Sequence, residues 1–150
     1  MKKPPKYEPL TFESDITKLP LKRNGDRSGD TSANLYMSML LSRAWRGLTD
    51  RQKVLYLYCK AQYYGEKPDR KTHMTQAEID GGANVNLMKR FTMNRNKWSD
   101  MYELYSESTS RYFWRDMNAL IEKGFIRKVE SGKTTRTKNI YEFADDWRKL

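Results

Sequence analysis

A mainly α-helical chain with a small β-hairpin towards its C-terminal end is the fold this sequence predicts, and three observations predict it. A polar turn rich in hydroxyls, Ser106-Glu-Ser-Thr-Ser110, opens a run in which Phe113, Met117, Leu120 and Ile121 recur at helical spacing. Lys123-Gly124 then stops the run, because glycine takes the left-handed conformation beyond a helix end without steric cost. Directly afterwards Phe125 to Glu130 and Asn139 to Phe143 read as two strands about the turn signal Ser131-Gly132-Lys133.

The helix spans about 108–123, with Ser106 or Ser108 as its cap, since a hydroxyl accepts from the unpaired amides of the first turn. The hairpin covers about 125–143, and its tip, Lys133 to Lys138, is basic and hydroxylated. Before the helix, Trp98, Met101, Tyr102 and Tyr105 fit a shorter helix with Trp98, Tyr102 and Tyr105 on one face. These rings are expected to pack beneath the longer helix rather than to stack on bases as in single-strand binders. Trp114 lies on the flank, open to the hairpin, to the preceding segment or to a partner. Helix, turn, helix, glycine, strand, basic loop, strand is the element order of a winged helix-turn-helix, here with extra N-terminal helices.

The capped helix, the motif LIEKGFI at 120–126, the turn SGK at 131–133, the strand KNIYEF at 138–143 and the following Trp147 resemble the winged-helix domains of DNA-binding and replication-initiation proteins of bacterial plasmids and conjugative elements. The upstream FTMNRNKW and YELY are similar to the segment preceding the recognition helix in that group. The resemblance covers the last third of the chain closely and Leu35 to Tyr64 loosely. It implies an origin-binding initiator that recruits a helicase loader or a regulator on an operator, and it leans towards the mobile-element side.

Charge agrees with such a partner. Twenty-nine Lys and Arg against nineteen Asp and Glu give 150 residues a formal net charge of +10. That excess implies a polyanion, with nucleic acid ahead of a membrane surface. The length is one domain's worth, and an aromatic content of 13% allows a core rich in rings. The single cysteine, Cys59, excludes an internal disulfide framework and fits a reducing compartment. No apolar run approaches the ~20 residues that cross a bilayer, so a cytoplasmic protein without a membrane partner is expected.

In chain order, residues 1–32 hold prolines, lysines and turn residues with no sustained period and read as a flexible basic arm. Its piece Tyr7 to Phe12 is open to packing on the domain or on a partner. The winged-helix domain is assigned to 33–150. Ala33 to about Arg46 is expected to be one largely buried apolar helix. Thr49 and Gln52 have the spacing of a capping box, opening a helix to about Tyr64 with Val54, Leu55, Tyr58, Ala61 and Gln62 on one face and Cys59 as a structural thiol. A loop follows, then a second capping box, Thr75 with Glu78, on a short helix that Gly81-Gly82 interrupts. Ala83 to Lys97 is legible only as a helix or an insertion, with Met88, Phe91 and Met93 as core rather than as a ligand pocket. Trp147 is expected to close the core. Since the chain stops soon afterwards, an oligomerisation or catalytic domain is expected to be absent or on another polypeptide.

The candidate site is the free side of the 108–123 helix. At ~100° per residue it carries Arg111, Arg115, Asn118 and Glu122, with Tyr112 and Ala119 at its edge. Arginine pairs bidentately with guanine, asparagine pairs with adenine, and both hold phosphates. A solvated charged face is the plain alternative. The basic hairpin behind the helix favours the DNA reading: Thr109 and Ser110 on phosphates at the helix N-terminus, Arg111, Arg115 and Asn118 in the major groove, and Lys133, Arg136 and Lys138 on the flanking backbone or minor groove.

No phosphate loop, nucleophile elbow or zinc spacing occurs in the sequence. The one histidine, His73, reads as a surface residue, and Asp145-Asp146 is a poor metal pair because neighbours on an extended chain point apart. No enzyme, cofactor or metal is therefore expected. The expected partner is double-stranded DNA, with a homodimer and a replication or host protein as further partners. The competing class is a winged-helix interaction module, a phage or mobile-element inhibitor of host machinery whose basic face meets an acidic protein.

Overall fold

The longest helix begins where its capping box places it. In the computed structural model, which describes residues 33–65, 73–82, 84–130 and 139–150, the Thr49 amide donates to Gln52 Oε1 at 3.0 Å and the Gln52 amide to Thr49 Oγ1 at 3.2 Å. Ahead of that box the single helix expected over 33–46 is instead two single turns, α1 (Met37–Leu40) and α2 (Arg43–Arg46). Ser42 divides them. Its extended backbone ends one turn, and its hydroxyl accepts from the Trp45 amide at 3.1 Å to start the next. The break leaves Leu35, Tyr36, Met37 and Leu41 exposed, while Met39, Ala44 and Trp45 reach the core.

The helix α3 (Asp50–Gly65) buries Leu55, Tyr56, Cys59 and Gln62, with Tyr58 half-buried. This face is rotated from the expected one, since Val54 and Ala61 stand exposed. Tyr56 sets the phase by packing its ring against Trp45 and Phe125, at 5.7 and 5.3 Å between centroids. Cys59 is the structural thiol expected, and burial raises its pKa well above the thiol range, so it is held neutral.

The second capping box also forms. Thr75 and Glu78 exchange backbone and side-chain bonds at the start of α4 (Gln76–Asp80), which ends at Gly81-Gly82. The stretch left open as a helix or an insertion contains a strand, β1 (Arg90–Thr92). All three of its residues are buried, so no alternation marked it in the sequence. Phe91 and Met93 join the core as expected, whereas Met88, ahead of the strand, stands exposed. Arg90 is a buried bolt to α4: its guanidinium grips Glu78 through two bonds of 2.7 and 3.0 Å and donates to the His73 carbonyl at 3.0 Å. His73 is itself 3% exposed, which corrects the surface placement expected of it: its backbone is needed under that guanidinium.

Trp98 lies in a π-helical segment, Asn96–Met101, rather than a regular helix. The wider turn lets the Trp98 carbonyl accept from both Leu104 and Tyr105 amides, at 2.9 and 3.2 Å. Trp98 and Tyr105 are buried against Phe113 of the next helix as expected, whereas the half-buried Tyr102 packs on Tyr58 of α3 and Met101 faces outward. A 3-10 turn, Glu107–Thr109, then leads into α5 (Ser110–Glu122), slightly shorter than the 108–123 expected. Ser106 stands at the N-cap of the 3-10 turn, whereas α5 itself starts behind Thr109 with no side-chain cap, so neither Ser106 nor Ser108 caps α5 directly.

Gly124 ends α5 at φ 83°, in the left-handed region. A β-carbon there would lie 2.6 Å from the Trp147 amide nitrogen. The close approach lets the C-terminal turn Asp146–Lys149 clamp the helix end, with the Trp147 amide donating to the Gly124 carbonyl at 3.2 Å. The strands β2 (Ile126–Glu130) and β3 (Ile140–Phe143) pair antiparallel, and β1 adds to the free side of β3. The result is a mainly helical chain with a three-stranded antiparallel sheet in the order β1-β3-β2, one strand more than the hairpin expected. The arm assigned to 1–32 and the hairpin tip lie outside the described residues.

Phe125 sits at the centre of the core, its ring meeting Trp45, Tyr56 and Trp147. Burying rings of this kind stabilises by ~1.5–3 kcal/mol each, whereas exposed ion pairs contribute ~0–1 kcal/mol. The Arg90–Glu78 pair differs from exposed pairs by its burial and double geometry. The Arg90 hydrogen bonds, followed by the Thr75 amide, lower the Glu78 pKa to about 2. A carboxyl held below its unfolded value stabilises the fold fully above about pH 4.5, and the contribution is lost as pH falls through about 2. Glu78→Gln is therefore expected to lower stability near neutral pH by on the order of 2 kcal/mol, with the gap from the parent closing between pH 5 and pH 2 in thermal unfolding. A gap independent of pH would show that this carboxylate does not anchor α4.

Candidate nucleic-acid interface

The apolar stripe of α5 contains a charge. Phe113, Asp116, Met117 and Leu120 are its buried residues, and Asp116 is fully buried. A lone buried carboxylate costs several kcal/mol, so its partners determine whether the helix can pack at all. Tyr105 donates its hydroxyl to Asp116 Oδ2 at 2.6 Å, Arg51 donates from Nε to the same oxygen at 2.8 Å, and Gln52 donates from Nε2 to Oδ1 at 3.2 Å. Gln52 thus caps α3 with its amide oxygen and holds α5 with its amide nitrogen. Burial first, and then the bond to Asp116, raise the Tyr105 pKa well above the phenol range, which keeps it a donor.

This tie joins the start of α3, the segment before α5 and the back of α5 at one point. Trp98 reinforces it, stacked on Phe113 at 5.0 Å and 23°. The outward face is thereby fixed in rotation. Arg111, Arg115, Asn118 and Glu122 are all exposed, as the helical phase predicts.

Tyr112 organises the cations of that face. The guanidinium carbons of Arg111 and Arg115 each lie 4.8 Å from its ring centroid, and that of Arg51 lies at 5.1 Å. Arg111 also donates to the Tyr112 hydroxyl at 3.0 Å. Cation–π contact limits the side-chain freedom of both outer arginines, and Arg115 Nε also lies 3.9 Å from Asp116 Oδ1, a long ion pair that leaves its side chain 62% exposed. Arg51 is the member that sequence reasoning missed. It is 65 residues from Asp116 in the chain, and only the tertiary ion pair brings it here. Asp116 carried a signal that was overlooked: it stands three residues after Phe113 and four before Leu120, in phase with the core.

The hydroxyls at the helix start make local contacts. Thr109 accepts from the Ser106 amide at 2.8 Å and contacts the Ser106 hydroxyl at 3.1 Å, so its side chain closes the turn. Ser110, in the first turn of α5, is half-buried. Arg95 pairs with Glu107 at 2.9 Å beside them, adding a cation whose charge is already balanced. Lys133, Arg136 and Lys138 lie outside the described residues. Trp114, 43% exposed, stands edge-on to Phe113.

What the face offers is two planar guanidinium forks and one carboxamide on one side of a rigid helix. Those groups suit paired acceptors on base edges or phosphate oxygens. Among the described residues no group of three or more His, Cys, Asp or Glu side chains converges to hold a metal ion, and no helix is long and apolar enough to cross a membrane.

Tyr105→Phe removes one bond to Asp116 and is expected to cost about 1–2 kcal/mol in denaturant unfolding. Asp116→Ala should cost more, because it also strands Gln52 and the Tyr105 hydroxyl. Two variants as stable as the parent would contradict the role given to this carboxylate. No protein-family model, curated protein or solved structure matches the chain.

Proposed function

We propose that this protein binds double-stranded DNA in a sequence-directed manner, with α5 as the recognition helix of a winged helix-turn-helix, and that it serves as a replication initiator or regulator of a plasmid or mobile element. The observation that carries the reading is the exposed Arg111, Arg115 and Asn118 face on a helix whose rotation is locked by the buried Asp116 tie. A reading helix must present its side chains in register with base edges, and rotational locking from behind serves that need.

The element order adds support. Helix α3, the short helix α4, strand β1, the π-helical turn, α5 and the β2–β3 pair come in the order of a winged helix-turn-helix with α4 added before β1, and β1 lies on the outer side of β3. The formal charge of +10 favours a polyanion and steers its approach. In this reading Arg111, Arg115 and Asn118 face the major groove, Thr109 and Ser110 lie near phosphates, and Lys133, Arg136 and Lys138 hold the flanking backbone. The assignment to plasmids and conjugative elements rests on the sequence resemblance, and a homodimer or a replication protein as a further partner belongs to the same reading.

Arg111→Ala and Arg115→Ala are each expected to weaken specific duplex binding by ~1–3 kcal/mol and to relax the sequence preference, with the fold intact by circular dichroism. Arg51 is unsuited to this test because removing it takes a 2.8 Å hydrogen bond from Asp116, whereas Arg115 stands 3.9 Å from that carboxylate, beyond hydrogen-bond distance, and its removal leaves all three donors in place. Unchanged affinity in both variants would overturn the groove assignment. No duplex binding by the parent at ~0.1 M salt would point instead to an acidic protein partner.

A further inference from the structure

A cleft of about 270 Å³ opens beside α1, α3, the ends of the three strands and the C-terminal turn, and it shares no residue with the arginine face of α5. Lys60, Lys89, Arg127 and Arg148 bring four cations to its wall against the single carboxylate of Asp145. Arg127 is engaged by Glu142 at 3.3 Å and Asp146 at 3.5 Å. Lys60, Lys89 and Arg148 form no ion pair with any described carboxylate.

Lys60 is the informative member. Its ammonium is half-buried, 5.5 Å from the centroid of the Phe143 ring, and burial alone lowers its pKa with no countercharge to oppose the effect. A partly desolvated cation without a partner gains strongly from an anion that enters. Beside it the Arg148 guanidinium lies 4.6 Å from the Trp147 ring centroid. Tyr36 stands at the rim with 61% of its surface exposed, a large ring with room for a flat group against it.

Small-molecule pockets begin at roughly 300 Å³, so this cleft suits one ring system with one charged group. Inorganic phosphate alone would leave the aromatic rim unused. Three unpaired cations match the charge and several oxygens of a phosphate better than a single carboxylate.

We propose that this cleft binds a nucleoside phosphate, with the base stacked on Tyr36 and the phosphate held by Lys60, Lys89 and Arg148. Two sources supply that chemistry: a free nucleotide, and an unpaired nucleotide of a single strand. The site is independent of the duplex-binding face, and the two stand or fall separately.

The test is a calorimetric titration of the full chain, without duplex, using deoxyadenosine monophosphate, inorganic phosphate, a short oligodeoxyadenylate and an acidic peptide. The mononucleotide is expected to bind at least tenfold more tightly than phosphate. Lys60→Gln should remove at least tenfold of that affinity, and Tyr36→Ala should reduce the mononucleotide to the level of phosphate. Arg111→Ala should leave it unchanged. If Lys60→Gln does not fold, Lys89→Gln, at an exposed position, provides the same reading. Tighter Lys60-dependent binding of the oligonucleotide assigns the site to an unpaired strand, and equal or weaker binding assigns it to the free nucleotide. A mononucleotide no tighter than phosphate, binding insensitive to these substitutions, or a preference for the peptide would overturn the proposal.

Discussion

A carboxylate in the middle of an apolar helix stripe is the constraint on which the rest of this structure depends. Asp116 can be buried only because three donors from two other segments converge on it. Those donors belong to the start of α3 and to the segment leaving the π-helical turn. Satisfying one charge therefore fixes the relative placement of three pieces of backbone. Apolar packing alone would favour association of these pieces but would specify their rotation less sharply, because methyl and ring surfaces tolerate small slides.

The consequence is felt on the opposite side of α5. With the inner face tied, Arg111, Arg115 and Asn118 have one outward direction, and Tyr112 gathers the arginines into a compact cationic patch. Arg51 serves both sides, bonding Asp116 through Nε and placing its guanidinium carbon 5.1 Å from the Tyr112 ring centroid. Stability and the proposed recognition are thus coupled through Arg51, and more weakly through Arg115 at 3.9 Å from the same carboxylate. At the far end of the helix, Gly124 and the Asp146–Lys149 turn set where the chain leaves for the sheet.

Much of this architecture was legible in the sequence, and the failures have physical causes. The two capping boxes, the glycine stop and the outward phase of Arg111, Arg115 and Asn118 follow from local rules, and local geometry realises them. The division at Ser42 was missed because the apolar residues on both sides of it outweighed one cap in the helical period. Strand β1 was missed because three buried residues have no period, and one of them is an arginine whose burial depends on Glu78, twelve positions away. The π-helical turn has no residue signature comparable to a cap. In the candidate site, the exposed face was readable from helical phase alone, whereas Arg51 and the Asp116 tie are products of tertiary contact.

The central claim is that a helix locked from behind by Asp116 reads duplex sequence with its arginine face. Selection of bound fragments from a random duplex pool at ~0.1 M salt tests it most directly. Recovery of a shared motif is expected, containing the guanine and adenine positions that suit arginine and asparagine. A recovered pool with no enriched sequence, or no retained duplex, would contradict the claim.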